Sequence, residues 1–302
     1  ICALLYAEPA FLSFIICIAI CLIAGISLVC IKSNNQNMYS REGFTIVALS
    51  WIFMSIFGAL PFVFSGSVKS FIDAFFETVS GFTTTGASIL TDVESKSHGI
   101  LFWRSFTHWV GGMGVLVLMM AIFPTDTGRT IHIMRAEMPG PIIGKLVPKI
   151  KSTAKILYLI YIVLTATEAL FLLLGGMSPF ESIVYSLGTA GTGGFGIKSD
   201  GLASYTPYQQ WVITVFMVIF GINFNLYYLV LTKKVRSALK SEELWFYLTI
   251  VATATVLITV NIYDMYGNTS DALRNSAFQV ASLISTTGYA TADFNLWPTF
   301  SK

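Results

Sequence analysis

Three times in this chain a short amphipathic segment runs into a small-residue turn that ends in Thr-Gly, and each time a long apolar run precedes it. The windows are Ala74 to Gly86, Glu181 to Gly193 and Ser276 to Gly288. A Thr-Gly stretch between membrane spans cannot face lipid, because its backbone carbonyls would go unsatisfied in hydrocarbon. It can line a water-filled path, where such carbonyls replace the hydration shell of an ion. The repeated unit points to an all-α integral membrane protein built from span–pore-helix–span modules, with a cation path along the turns.

Composition agrees. The 302 residues are 55% hydrophobic and only 11% charged, whereas soluble domains carry roughly a quarter charged residues. A span needs about 20 apolar residues. Segments that reach this length run at 10–31, 43–64, 100–123, 155–176, 208–231 and 244–262. The Thr-Gly windows follow the second, fourth and sixth of these. The modules divide the chain into 1–40 (a preceding helix and connection), 41–150, 151–240 and an incomplete third module, 241–302. No charged n-region or cleavage site marks a signal peptide, and both ends read as cut from a longer protein.

Lys and Arg placement sets the orientation. The connections at 32–42, 124–155 and 232–243 hold 12 of the 18 basic residues, among them Lys32, Arg41, Arg129, Arg135, Lys149, Lys151, Lys233, Lys234 and Arg236. These segments read as cytoplasmic. The Thr-Gly windows and the acids that follow them (Asp92, Glu94, Asp200 and Asp293) then face outside. The connection at 124–155 reads as a solvated positive-inside loop or as a surface for a protein partner.

Other function classes find little support. A net charge of +2 gives no basic field for nucleic acid. His98, His108 and His132 fall in different environments, and no nucleotide loop or nucleophile triad is present, so no catalytic chemistry is expected. Cys2, Cys17, Cys21 and Cys30 lie in or beside the first apolar segment and read as buried apolar thiols.

Asp73, Glu181 and Asp271 sit near the start of each short helix. An acid there caps free N–H groups and complements the positive end of the helix dipole. The negative end then points along the turn, towards a passing cation. Glycine at Gly86, Gly193 and Gly288 permits the positive φ that lets successive carbonyls aim the same way. Among residues inside spans, Glu168 is a candidate transport residue or a carboxyl paired elsewhere. Arg104 reads as an interface anchor beside Trp103 and Trp109. Gly111, Gly112 and Gly114 permit close helix packing. Asn223 and Asn225 either face the path or bond across helices.

The stretches Ser40 to Phe44, Gly58 to Phe62, Asp73 to Glu77, Thr83 to Ala87, Trp109 to Gly114, Arg135 to Pro141 and Phe278 to Ser282 resemble the membrane subunit of Trk-type potassium uptake systems (TrkH/TrkG type, within the Trk/Ktr/HKT superfamily). The resemblance implies four span–pore-helix–span repeats around one pore, of which about two and a half are visible here. The fourth filter and the gate loop of the third repeat lie outside this sequence. It implies that Thr84, Thr85 and Gly86, then Gly191, Thr192 and Gly193, then Thr286, Thr287 and Gly288 bind potassium in the filter. Potassium is thus the substrate, with no cofactor in this chain. It also implies the bacterial cytoplasmic (inner) membrane, a homodimer, and a cytosolic nucleotide-binding regulatory ring of the RCK/Trk-A type. The function expected is channel-like potassium uptake. The alternative is a secondary symporter coupling potassium to protons or sodium, with Glu168 as the proton site.

The charge asymmetry makes a prediction about sidedness. Single cysteines placed at Lys96, Asp200 and Asp293 react with an impermeant thiol reagent added outside intact cells, and those at Lys149 and Lys234 do not. The reverse labelling pattern would invert the topology.

Overall fold

Long apolar helices alternate with short capped ones in a computed structural model that describes residues 2–30, 40–114 and 150–302. In chain order the helices are α1 (Cys2–Leu5), α2 (Ala10–Val29), α3 (Ser40–Phe64), α4 (Phe71–Phe82), α5 (His98–Gly112), α6 (Ile150–Leu174), α7 (Pro179–Ala190), α8 (Pro207–Phe220), α9 (Phe224–Leu231), α10 (Val235–Leu239), α11 (Glu242–Tyr266) and α12 (Thr269–Ile284). Among the described residues there is no strand. Two compact units divide between residues 155 and 156.

Among the described residues, four stretches are long and apolar enough to cross a membrane: Ala10–Val29, Phe44–Phe64, Ala154–Leu174 and Glu242–Tyr266. They match the first, second, fourth and sixth segments read from the sequence. Their surfaces carry exposed Leu22, Ile26, Ile52, Leu170 and Val256, the pattern of helices solvated by lipid rather than water. The third segment is helical over its described part, through Gly112. The basic connection with Arg129, Arg135, Lys145 and Lys149, the proline run from Met138 to Pro141, and His132 lie outside the described residues, as does Lys32.

The fifth segment departs from a simple span. It breaks at Gly221 to Asn223, and the axes of α8 and α9 differ by 85°. Gly221 ends α8, and the Asn223 side chain accepts from the Asn225 N–H to start α9. The carbonyls loosened by the break find hydroxyls: Tyr247 Oη donates to Val218 O at 3.2 Å and Tyr227 Oη to Ile219 O at 2.7 Å. Asn223 Nδ2 also reaches both carboxylate oxygens of Glu243 at 3.3 Å. Asn223 therefore bonds across helices, one of the two roles its sequence position allows.

The thiols correct the sequence reading. Cys17 is buried, but Cys21 and Cys30 are exposed. On a helix as apolar as α2 the medium outside is lipid, so an exposed thiol still has apolar surroundings.

In the first unit, α4 lies between α3 and α5. Ala59, Phe62, Val68, Ala74 and Ile100 form its core, and Trp103 Nε1 donates to Gly58 O at 2.9 Å. The Glu8 carboxylate receives the His98 and Gly99 N–H groups at 2.7 and 2.9 Å, capping α5 from ninety residues away. In the second unit, α12 packs on α11 and α8, with Ile262, Ala272 and Trp297 at the centre of one cluster.

Gly111 shows how tightly α4 and α5 meet: a Cβ there would run into the carbonyl oxygen of Phe82. Gly111→Ala is expected to cost about 1–3 kcal/mol, because backbone must move to make room. Gly25→Ala, which meets nothing within 4 Å, should be neutral. Thermal unfolding of the detergent-solubilised protein, followed by size-exclusion chromatography, compares them; equal midpoints would remove the close approach.

Candidate functional site

Each Thr-Gly window begins as a capped helix. Ser70 accepts from the Asp73 N–H at the start of α4. Ser178 and Glu181 form a capping box at α7, with Pro179 in its first turn. Asn268 caps α12, and Asp271 stands in its first turn, paired with Arg274 at 2.8 Å. All three acids named from the sequence therefore lie in the first turns of their helices, where a negative charge suits the dipole.

The helix ends share one geometry. Thr84, Thr192 and Thr286 adopt φ of 56°, 52° and 60°. Their N–H groups reach back three residues, to Gly81, Thr189 and Leu283. The next N–H groups, of Thr85, Gly193 and Thr287, reach back five, to Ser80, Gly188 and Ser282, at 2.9, 3.2 and 2.9 Å. These are the paired bonds of a Schellman cap, which glycine usually terminates. A β-branched residue in this region is an outlier, costing of order 1–3 kcal/mol.

A second left-handed residue follows two positions on: Gly86, Gly194 and Gly288, at φ of 75°, 76° and 83°. Here the sequence expectation needs correcting. The Thr-Gly pair at 192–193 aligns Gly193 with Gly86 and Gly288, but Gly194 adopts the positive φ. Gly193 is the counterpart of Thr85 and Thr287, as its bond five residues back shows. Two consecutive glycines hide this one-residue offset. Among the described residues, the carbonyls of Thr84, Thr85 and Gly86, of Gly191, Thr192 and Gly193, and of Thr286, Thr287 and Gly288 accept no hydrogen bond.

The first turn is held by charge. Glu77 of α4 is fully buried, and one of its oxygens accepts from Arg104 Nε at 2.6 Å. The same oxygen receives Ser88 Oγ at 2.9 Å, and the other receives the Ile89 N–H at 3.0 Å. Glu77 thus ties the segment leaving the turn to α4 and, through Arg104, to α5. Arg104 is 3% exposed and is no interface anchor; a buried carboxylate one helix away claims it. The sequence offered the signal as an acid in the first short helix and a base in the third apolar segment, since charges at membrane depth pair with one another.

The second and third turns are held by packing. A Cβ on Gly194 would meet the Thr287 carbonyl oxygen, and one on Gly188 would meet the Tyr289 hydroxyl. Tyr289 Oη donates to Phe195 O at 3.3 Å, bridging one turn to the other. Its ring meets Tyr185 edge-on, with centroids 5.6 Å apart. Ser282 Oγ donates to Tyr289 O at 2.6 Å, and Leu202 N to Ala290 O at 2.9 Å. The bracing roles of Tyr289 and Ser282 have no signal in the sequence, because aromatic and hydroxyl residues are common in any fold.

Outside these turns lies a cavity of about 360 Å³, lined by Gly194, Lys198, Asp200, Gly288 and Asp293 among others. Lys198 is engaged elsewhere: its Nζ donates to Ser204 Oγ at 3.1 Å and lies 4.2 Å above the Tyr205 ring. Tyr205 Oη donates to Glu181 Oε1 at 2.9 Å. Burial, then Tyr185 and the Glu181 carboxylate, hold its phenol well above the usual tyrosine range. Glu168 is fully buried in α6. Among the described residues no three of His, Cys, Asp and Glu converge as metal ligands do.

The family model described as TrkH, "Cation transport protein", matches residues 9–302. The Trk system potassium uptake protein TrkH of Escherichia coli K12 is 37% identical over 275 residues, which cover 89% of this chain and 57% of that protein. TrkG of the same organism is 32% identical across 98% of this chain and 62% of its own length. The crystal structure of the potassium transporter TrkH from Vibrio parahaemolyticus superimposes with a TM-score of 0.85 at 30% identity, covering 99% of this chain and 62% of that one. The chain therefore spans about three fifths of the length of these relatives.

The Glu77–Arg104 pair makes a prediction. Removing one partner leaves a buried charge, so Glu77→Gln and Arg104→Gln should each destabilise by about 3–5 kcal/mol. The double replacement Glu77→Gln with Arg104→Met should recover part of that loss. Folded yield and thermal midpoint after solubilisation report it; additive effects in the double variant would show that the two side chains do not depend on each other.

Proposed function

The chain belongs to the TrkH family of cation transport proteins, and on that premise we propose that it takes part in potassium uptake across the bacterial cytoplasmic membrane through a channel-like path. The observation that carries the reading is the turn repeated three times, with a left-handed threonine, a left-handed glycine two residues on, and carbonyls that accept no hydrogen bond. In hydrocarbon such carbonyls need a partner, and a dehydrated cation supplies one. No carboxylate stands within the turns themselves, so selection rests on main-chain oxygens of Thr84, Thr85, Gly86, Gly191, Thr192, Gly193, Thr286, Thr287 and Gly288. Gly194 sets the turn of the second group as Gly86 and Gly288 set theirs. Asp200 and Asp293 beside the outer cavity raise the local cation concentration.

The membrane potential drives the ion. One charge crossing 100 mV is worth about 2.3 kcal/mol, enough for roughly 50-fold accumulation. The second reading is a symporter coupling potassium to protons or sodium. Glu168, an ionisable residue buried at mid-span with neither carboxyl oxygen hydrogen-bonded, is the observation behind it. Reversal potentials separate the two: a potassium Nernst slope unaffected by pH and sodium gradients belongs to the channel-like path alone.

The partners proposed are a second copy of the protein and a cytosolic nucleotide-binding ring. The exposed cations Lys233, Lys234, Arg236 and Lys240 offer such a ring a basic surface.

Gly86→Ser in the intact protein should lower potassium over sodium discrimination, because a side chain disfavours the positive φ and turns a carbonyl out of line. Gly194→Ala should do the same, whereas Gly196→Ala, which meets nothing closer than 3.7 Å, should not. Permeability ratios in bilayers, normalised to inserted protein, are the measurement; unchanged ratios in both Gly86→Ser and Gly194→Ala would sink the filter reading.

A further inference from the structure

The carbonyls of Thr84, Thr85 and Gly86 lie on a short piece of chain whose two ends are both tied to α4. At the entry, the Thr84 and Thr85 N–H groups reach back to Gly81 O and Ser80 O at 3.1 and 2.9 Å. At the exit, Ser88 Oγ and the Ile89 N–H donate to opposite oxygens of Glu77 at 2.9 and 3.0 Å. Ser88 Oγ accepts in turn from the Leu90 N–H at 3.1 Å. Only Ala87 separates Gly86 from the first of these bonds.

The donors decide which group can sit at position 77. Arg104 Nε and Ser88 Oγ meet one oxygen of Glu77, and the Ile89 N–H meets the other. A carboxylate accepts on both oxygens, whereas an amide has one oxygen and an NH2 that itself donates. The single proton of Ser88 goes to the carboxylate and a lone pair to Leu90, so this hydroxyl is the joint through which the charge holds the exit. Burial of the helix face does not dictate a carboxylate here. Glu77 stands seven residues before the left-handed Thr84, and the same position holds Tyr185 before Thr192 and Gln279 before Thr286. All three residues are buried. Tyr185 offers one hydroxyl, which donates to Gly201 O at 3.3 Å, and Gln279 offers an amide. Of the three, Glu77 alone can accept on two oxygens.

We propose that Ser88 and Glu77 are specificity-determining positioning residues: the hydroxyl and carboxylate clamp the exit of the first turn to α4 and so fix the direction of the Thr84, Thr85 and Gly86 carbonyls. This rests on the reading of those carbonyls as potassium ligands. With the exit released, only the entry bonds remain, and the peptide units around Gly86, at φ 75°, are free to rotate as glycine allows.

The test uses the intact protein in bilayers, with the potassium to sodium permeability ratio as readout and the thermal midpoint as the control for folding. Ser88→Ala removes one hydroxyl and leaves the buried ion pair in place. It should lower the ratio roughly tenfold, the scale of one hydrogen bond to a charged group. Ser88→Thr keeps the hydroxyl and should hold the ratio within about twofold of the parent. In the Glu77→Gln with Arg104→Met background, where the carboxylate is gone, Ser88→Ala should add nothing further. If that background does not insert, the two Ser88 variants decide. An unchanged ratio in Ser88→Ala, a loss in Ser88→Thr as large as in Ser88→Ala, or a full tenfold loss on adding Ser88→Ala to the neutral background overturns the proposal. Should Gly86→Ser loosen discrimination while Ser88→Ala does not, the clamp falls and the filter reading stands. A parent protein that does not distinguish potassium from sodium fails the filter reading, and the clamp with it.

Discussion

A backbone carbonyl within a bilayer must be satisfied by its own helix, by other protein groups, or by water or an ion. The described structure follows from that demand. The long helices satisfy themselves. Where α8 breaks, tyrosine hydroxyls from α9 and α11 take up the freed oxygens. At the three helix ends, the Schellman bonds absorb part of the last turn, and the turn oxygens beyond it accept no hydrogen bond among the described residues.

The two units answer the problem of holding such a turn differently. In the first, Glu77 gathers Arg104, Ser88 and Ile89 about one carboxylate. In the second, Tyr289 packed against Gly188 and the close approach of Gly194 to the Thr287 carbonyl do the holding. Ionic and apolar bracing thus serve one backbone geometry. The shared element is the main-chain pattern, and the side chains around it are free to differ.

The long spans were legible because about 20 apolar residues have few alternatives, and the short helices because their caps are written in Ser, Asn, Asp and Glu at fixed offsets. The turns were legible as repeats but not in register: with Gly193 and Gly194 adjacent, residue type does not say which adopts positive φ, and a hydrogen bond five residues back decides it. Arg104 was misread because tryptophans on either side suggest an interface, while its real partner is 27 residues away in sequence. The sequence shows 208–231 as one unbroken apolar segment, with no sign of the break at Gly221. Its meaning depends on Tyr247, which belongs to another helix. Cys21 and Cys30 are exposed where the sequence reading made them buried, because apolar and buried part company in lipid.

The broken span has a consequence for how the protein fits its membrane. The 14 residues of α8 reach about 21 Å, against a hydrocarbon thickness of about 30 Å. The 25-residue helices α6 and α11 reach about 37 Å and can tilt to suit a thinner or thicker bilayer. The short segment has no such slack: with α9 turned 85° away, the missing depth is made up by neighbouring helices, flanking polar residues or lipid that thins beside it. Acyl-chain length then becomes a variable acting directly on the helix that packs against α12, the support of the third turn, so the lipid composition of the host membrane enters the energetics of that turn without any headgroup being recognised.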